Sequence, residues 1–470
     1  MTRSVIVIGA GPAGLSAAYQ LVSGGANVTV LESGSHVGGL ARSFELWGQI
    51  VDCGPHRFFS GDKIVNDFFR EVVKDDFVHV NRLTRIYYNN RFFYYPLKVG
   101  NVLGNIGPIG ITQILGSYAL TWLSPIATPR TFEDWVVNKF GRKLYTIFFK
   151  NYSEKLWGIP CSKIDADWAA QRIKKFSLLE AVRAALFGDK GKKHKTLVDQ
   201  FAYPKKGTGS MYFKIKNYIE QQGATVLLNT PVKKVILQNN KAVGVELVSG
   251  EKLFADEIIS TMPLTLMVKG LDDVPEQVIQ ACDQLYYRNT ILVYIEVDAV
   301  DLFPDNWIYV HSPEVEHGRI TNFRNWSPEL YGDKKTTILC LEYWCFDKDA
   351  LWSKDEAYFG KLAAEEVKRI KLVKPETAIL NTAVVKLQRC YPVYETGYMN
   401  HIETIKTYLD RIEHLRVIGR YGSFKYNNQD HSILMGLLAA KEILEGSRQH
   451  LWSINTDSEY QEKGEALNND

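Results

Sequence analysis

The first 42 residues constrain the fold more than any other part of the chain. Val5-Ile6-Val7-Ile8 reads as a short buried strand, and Gly9-Ala10-Gly11-Pro12-Ala13-Gly14 follows it without a gap. An Ala/Leu-rich helical pattern runs on to Leu21, and a second strand, Val28-Thr29-Val30-Leu31, ends in Glu32. A strand, a G-x-G-x-x-G turn, a helix and an acid at the tip of the next strand form a dinucleotide-binding unit. Gly9 permits the tight turn, Gly11 lets backbone N–H groups approach a pyrophosphate, and Gly14 lets helix and strand pack closely. Pro12 and Ala13 open the helix, whose N-terminal partial positive charge faces the phosphates. Glu32, with Ser33 beside it, stands where a ribose is hydrogen-bonded. A glycine-rich turn without a ligand is the competing reading, and it leaves this context unexplained.

A second glycine pair decides between two dinucleotides. Gly38-Gly39-Leu40-Ala41-Arg42-Ser43 resembles the extended fingerprint of FAD enzymes of the glutathione-reductase type. That resemblance implies that Gly39, Leu40, Ala41 and Arg42 hold the FAD phosphates and run along the flavin. The expected cofactor is therefore a resident FAD. The expected fold is α/β: an FAD-binding Rossmann-like domain of the glutathione-reductase type, interleaved with a mixed helical and β-sheet substrate domain.

At 470 residues the chain can bury two domain cores. Hydrophobic content of 46% and charged content of 23% are ordinary for a globular protein, and a net charge of +3 gives no extended nucleic-acid surface. The run Lys190-Gly-Lys-Lys-His-Lys195 reads as a solvated loop. Cys53, Cys161, Cys282, Cys340, Cys345 and Cys390 show no CxxC spacing and no metal-ligand pattern, so no metal is expected and the thiols read as reduced. The first apolar run is the cofactor strand and not a secretory signal, which points to a cytoplasmic protein. Between Lys98 and Arg130 there is no charged residue. Glycines, Pro108, Asn101, Asn105 and Gln113 interrupt that stretch, so a buried helix around Ile111–Leu123 is expected and a spanning helix is not. A helix lying on a membrane surface is the alternative.

The segments alternate in character, and two discontinuous domains follow. Residues 1–80, 201–265 and 396–448 are assigned to FAD binding, 81–200 and 266–395 to the substrate domain, and 449–470 to a polar tail. Arg85–Tyr88 and Arg91–Tyr95 read as strands joined at Asn89-Asn90, a hairpin turn. Thr131-Phe132-Glu133-Asp134 is a capping-box pattern opening a helical stretch that runs to Phe187. Ala224–Val232 reads as one strand returning to the cofactor, with Val232 at its contact end. Thr290–Val297, Trp307–Val310 and Thr336–Cys345 are the clearest strands of the substrate domain, and Ser432–Leu444 is a closing helix.

The block Gly419-Arg-Tyr-Gly-Ser-Phe-Lys-Tyr-Asn-Asn-Gln-Asp-His-Ser432 precedes that helix and gathers polar donors at its N-terminus. A capped surface helix is the plain reading. Yet Asn427, Asn428, Gln429, Asp430 and His431 exceed what one cap needs, and Arg420 and Lys425 add charge complementary to phosphate. With Gly419 and Ser432, the residues Asn428, Gln429 and Asp430 are assigned to the cofactor.

The same block resembles the C-terminal signature of UDP-galactopyranose mutases, within the wider superfamily of amine oxidases and protoporphyrinogen oxidases. Gly54-Pro55-His56, Tyr95-Pro96-Leu97, Asn151–Gly158, Trp168–Ile173, Tyr203–Gly207, Trp307–Tyr309, Arg319–Pro328 and Tyr391–Val393 resemble other mutase segments in the same order. The likeness runs from residue 3 to about 445, although only one residue separates Tyr426 from Asn428, a shorter loop than in eukaryotic mutases. It implies that Arg319 and Arg420 bind a substrate diphosphate, Trp157 a uracil, and Tyr95, Tyr309, Tyr391 and Tyr426 the substrate. It places His56 and Arg172 near sugar and flavin. Guanidinium forks are apt for a diphosphate, being planar, permanently charged and bidentate. With 25 tyrosines in the chain, core packing is the plainer role for any one of them.

Two reactions stay open. The mutase likeness implies pyranose–furanose isomerisation of a UDP-sugar for surface polysaccharide synthesis, through an adduct at N5 of flavin reduced by an external donor such as NAD(P)H. The superfamily likeness equally admits hydride removal from an amine or a porphyrinogen by an FAD-dependent oxidoreductase.

Overall fold

The computed structural model describes residues 3–95, 97–168 and 200–455. Its first layer is a five-stranded parallel sheet in the order Leu415–Val417, Glu257–Ser260, Ser4–Ile8, Asn27–Leu31, Thr225–Leu227. Side chains alternate across a strand, and here both faces are covered. Val5, Val7, Val28 and Val30 pack under the helices Pro12–Ser23, Gly209–Gln221 and Gln429–Glu445. Ile6, Ile8 and Leu31 pack on the other side with Val235, Ala242 and Val245 of a three-stranded antiparallel sheet. That is why the strands read as unbroken apolar runs.

Two of these helices meet almost backbone to backbone. A Cβ on Gly436 would lie 2.2 Å from both the carbonyl oxygen of Ala13 and Oγ of Ser16. The Ser16 hydroxyl donates to the Pro12 carbonyl at 2.7 Å and lies 3.1 Å from that of Ile433. The N-termini of Pro12–Ser23 and Gln429–Glu445 are thereby brought to the same end of the sheet.

The second layer is a seven-stranded sheet ordered Ile379–Pro392, Tyr287–Val297, Thr337–Cys345, Arg319–Asn322, Trp307–Val310, Thr84–Tyr88, Arg91–Tyr94. Tyr287–Val297 is buried along its whole length, as expected of a strand flanked by two others and covered by helices. The Asn89-Asn90 hairpin has φ of 48° and 58°, the left-handed pair that a two-residue turn requires. The capping box at Thr131 and Asp134 forms and starts the helix Phe132–Phe140. The stretch expected as one strand from Ala224 breaks in two, Thr225–Leu227 and Val232–Gln238. Asn229 turns with φ 53°, and Pro231 has no N–H to donate to a ladder. The tail is partly docked: Leu451 is buried, and Lys425 Nζ bonds the carbonyls of Trp452 and Ile454.

The uncharged stretch departs from expectation. It forms a longer helix, Val99–Leu123, broken at Gly107 (φ 76°) ahead of Pro108, and it is not buried. Asn101 and Asn105 tie its start to the Phe92 carbonyl, and Ser117 accepts from the Lys143 backbone N–H at 3.0 Å. Ile114 is buried while Ile109, Leu115, Leu120, Trp122 and Leu123 are exposed. Only one side of the helix meets the protein, so apolar composition alone did not bury it. Among the described residues no helix is long and apolar enough to cross a membrane.

Candidate active site

A cavity of about 1080 Å³ runs from the tip of the five-stranded sheet to the inner wall of the seven-stranded one. At the sheet end Gly9, Gly11, Pro12 and Ala13 form the floor, with Glu32 and Ser33 at the rim. Gly39, Leu40 and Ala41 cross above Gly11, and a Cβ on Gly39 would lie 3.2 Å from Gly11 Cα. Gly9 has φ +99°, and a Cβ there would meet Oγ1 of Thr261 at 2.1 Å. Glu32 accepts backbone N–H bonds from Ala10 and Gly34, each at 2.8 Å, which fixes its carboxylate at the strand tip. Val232 and Gly419 line the walls, with Asn428, Gln429, Asp430 and Ser432 of the second helix. Asn428 caps that helix, and Gln429 is pinned by bonds to the Arg57 carbonyl and the Tyr212 hydroxyl, both 2.8 Å. Two helix N-termini and bare glycine backbone at one end of a crevice fit an anionic dinucleotide. The block ending in Ser432 is thus a capped helix whose start lies inside the cavity.

The far end is aromatic and basic. His56, Tyr95, Tyr309, Arg319, Tyr391, Arg420 and Tyr426 all reach it. Arg420 packs against the stacked pair of Tyr391 and Tyr426, whose centroids are 5.4 Å apart, and lies 4.8 and 4.5 Å from them. Its Nε donates to the Cys390 carbonyl at 2.7 Å and its Nη1 to that of Asn427 at 2.9 Å, so the fork is held before any ligand arrives. Tyr309 meets Tyr95 edge-on at 5.3 Å. Burial pushes the Tyr391 phenol well above its ordinary value, keeping it a proton donor at neutral pH.

Arg319 is already engaged. It is the direct cross-strand partner of Glu342, and its Nε and Nη2 fork onto that carboxylate at 2.5 and 2.6 Å. Burial works against the Arg319 charge, but Glu342 more than offsets it and holds the guanidinium protonated.

His56 is half-buried in the wall of this end. Its Nε2 lies 2.9 Å from the Cys53 carbonyl, which can only accept, so Nε2 carries the proton and Nδ1 keeps its lone pair. Burial, with Arg319 and Arg420 nearby, lowers its pKa from 6.5 to about 4. In the unfolded chain the ring protonates at its ordinary value, so the folded state loses stability as pH falls from about 6.5 to about 4. A shift of that size corresponds to a loss of ~3 kcal/mol. His56→Gln, which keeps a donor for Cys53, is expected to flatten this part of the stability–pH curve in urea melts. An unchanged curve would show that His56 is not the group responsible. Deeper in the wall, Asp52 accepts from Ser43 Oγ (2.5 Å), Tyr203 OH (2.7 Å) and the Thr208 N–H (3.2 Å), and burial raises it to about 7.

Several expected ligands are elsewhere. Gly14 does not line the cavity; a Cβ on it would lie 1.9 Å from the Gly9 carbonyl oxygen, so its part is the close packing of turn and helix. The Arg42 side chain folds back to the Gly39 carbonyl at 3.0 Å and braces the second glycine turn from behind. Trp157 is 1% exposed and sits behind the wall, packed on Tyr391 and Tyr426, because the helix Asn151–Trp157 turns its last residue inward. Lys425 points to the C-terminal tail. Arg172 lies outside the described residues.

Other wall residues escaped the sequence reading. Arg57, Arg82, Glu342 and Arg389 all line the cavity. Arg57 Nη1 is buried without a hydrogen-bond partner, and Arg82 stacks over the Tyr95 and Trp307 rings. Glu342 carried a usable signal, as the one charge within the apolar strand Thr337–Cys345. Arg389 owes its place to a bulge in Ile379–Pro392, where its φ is 59°. Nothing local marks such a bulge.

A parallel sheet with paired glycine turns, two converging helix N-termini and a long crevice defines a dinucleotide-binding α/β protein. The chain belongs to the family of flavin containing amine oxidoreductases, whose family model matches residues 12–358, and its cofactor is FAD. It is 21% identical to a coproporphyrinogen III oxidase of Staphylococcus aureus, over 94% of this chain and 99% of that one. It is 25% identical to a probable UDP-galactopyranose mutase of Klebsiella pneumoniae, over 35% of this chain and 43% of the relative. Among solved structures, a reduced UDP-galactopyranose mutase superposes with a TM-score of 0.85 at 22% identity, covering 98% of this chain and 97% of the other. At that identity the likeness is one of fold.

Proposed function

We propose that this flavoenzyme acts on a nucleotide-diphosphate sugar, with pyranose–furanose isomerisation of the UDP-galactopyranose mutase type as its reaction and surface polysaccharide synthesis in the cytoplasm as its setting. The observation that carries the reading is the charge of the cavity wall. Arg57, Arg82, Arg319, Arg389 and Arg420 all line it, and of the three lining carboxylates Glu32 and Asp430 stand at the glycine-turn end while Glu342 pairs with Arg319. An excess of cation on this scale, in a wall dense with tyrosine, suits a diphosphate ligand and is poorly suited to an amine.

FAD, once reduced by an external donor such as NAD(P)H, supplies an electron-rich centre for attack at an anomeric carbon. The chain's own residues bind and orient. Arg420 presents a fixed fork to the diphosphate, its rotamer already restrained by the stacked pair of tyrosine rings beside it and by two carbonyls. Tyr391 and Tyr426 offer hydroxyls beside it. Neutral His56 offers Nδ1 as an acceptor close to where cofactor and sugar would meet, and Asp52 holds together the segments beneath them.

One observation favours a second reading, an FAD-dependent oxidoreductase. Glu342 occupies two donors of Arg319, which weakens that residue as an anion ligand, and the near full-length relative is a porphyrinogen oxidase. The test is anaerobic incubation of chemically reduced enzyme with UDP-galactopyranose, with chromatographic separation of the two ring forms. Formation of UDP-galactofuranose is expected. Absence of that product, together with bleaching of oxidised flavin by coproporphyrinogen, would overturn the mutase reading.

A further inference from the structure

Past the break at Gly107, the helix Val99–Leu123 has its amphipathicity reversed. Before the break Val102 and Ile106 pack on the core, whereas after it the side against the protein carries Gly110, Ile114, Ser117, Tyr118 and Thr121, at helical spacing and mostly small or polar. The fit there is close: a Cβ on Gly141 would lie 2.9 Å from the Tyr118 backbone, and Thr121 Oγ1 returns to the Ser117 carbonyl at 3.0 Å. The outward side carries the large apolar groups. Ile109 is 74% exposed, Leu120 70%, Trp122 73% and Leu123 71%, with Leu115 and Ile126 beside them. Thr112 and Gln113 share that side and carry no charge. A helix covered by water places its leucines inward and its serines outward.

The charges stand at the margins. Lys98 and Arg130 bracket the stretch and are exposed. The nearby acids are occupied, Glu133 by Arg142 (2.8 Å) and the Tyr145 hydroxyl (3.0 Å), and Asp134 by the backbone N–H groups of Arg130 and Thr131. The surface is thus an apolar strip with net positive ends and a tryptophan near one end.

We propose that this helix docks the protein on the surface of an anionic lipid bilayer, lying in the interface without crossing it. Apolar side chains enter the acyl boundary while Lys98 and Arg130 meet the headgroups, and Trp122 sits at the depth where its ring is favoured. A second copy of the chain fits less well, because antiparallel pairing of two such helices sets Lys98 of one against Arg130 of the other. Tyr95 and Leu97, just before the helix, line the cavity, so docking places the aromatic end of the cavity next to the lipid surface. The proposal does not depend on which reaction the cavity performs.

The test is co-sedimentation of the FAD-loaded full chain with phosphatidylcholine vesicles containing about one third phosphatidylserine, and with phosphatidylcholine alone. Binding to the anionic vesicles, weakened by salt, is expected. The double variant Leu120→Glu/Trp122→Glu is expected to lower the partition coefficient about 100-fold while its flavin content and thermal midpoint stay at wild-type values. Three results would overturn the proposal. One is a chain that stays in the supernatant with both vesicles, and another is a variant that sediments like the wild type. The third is a wild-type dimer in sedimentation equilibrium that the double variant dissociates, which assigns the strip to a second copy.

Discussion

Gly14→Val is expected to yield protein without bound flavin. The missing side chain at Gly14 is what allows the first turn of the helix Pro12–Ser23 to rest on Gly9, whose carbonyl oxygen lies 1.9 Å and carbonyl carbon 3.1 Å from where a Cβ would stand. Both contacts are to backbone, so no side-chain rotation relieves them. The helix must retreat from the turn, and its N–H groups then leave the position from which they face the cavity floor. Overpacking of this kind costs about 1–3 kcal/mol or more in stability, and the loss of a preorganised anion site adds to it in the complex. The measurement is the flavin-to-protein absorbance ratio after purification, with circular dichroism to establish that the chain has folded. Gly116→Ala, at a helical glycine with open space around it, serves as the control and should keep its flavin. Stoichiometric flavin in Gly14→Val would remove the close-packing argument.

The second large effect is expected at Arg420. Arg420→Ala should weaken UDP binding by about two to three orders of magnitude, the range found when one partner of a buried charge pair is truncated, while FAD stays bound. Arg420→Lys should restore only part of it, since an ammonium can neither fork onto a diphosphate nor stack against the Tyr391 and Tyr426 rings in the same way. Titration calorimetry with UDP on the flavin-loaded protein reads this directly. Wild-type affinity in Arg420→Ala would remove the diphosphate from this end of the cavity. Arg319 is the poorer probe. Its removal leaves Glu342 buried without its cation, which costs about 3–5 kcal/mol of stability whatever the ligand, so a weakened Arg319→Ala would not separate binding from folding.

The cofactor end was legible in the sequence because its determinants are neighbours in the chain. Gly9, Gly11, Gly39 and Glu32 take their places from a turn, a helix and a strand that are each locally encoded. Gly419 and the polar run after Asn427 announced a second helix start. The far end was legible in part. Arg420, Tyr391 and Tyr426 were found through likeness to a known segment, whereas Arg57, Arg82 and Arg389 carry no local sign of facing a cavity. Trp157 shows the opposite limit: its segment looked like a substrate contact, and helix orientation placed it behind the wall.

Periodicity and glycine spacing determined the α/β class, the dinucleotide turn and most of the strands, since these rest on interactions among residues a few positions apart. Only the tertiary structure decided what meets across long separations. The register of two antiparallel strands sets Arg319 directly opposite Glu342, and that converts an expected diphosphate ligand into half of an ion pair. Docking on one side alone leaves the uncharged helix with Leu120 and Trp122 turned outward, where composition had placed them in the core. Both outcomes depend on which faces the fold brings together, and a one-dimensional pattern of apolar and charged residues leaves that choice free.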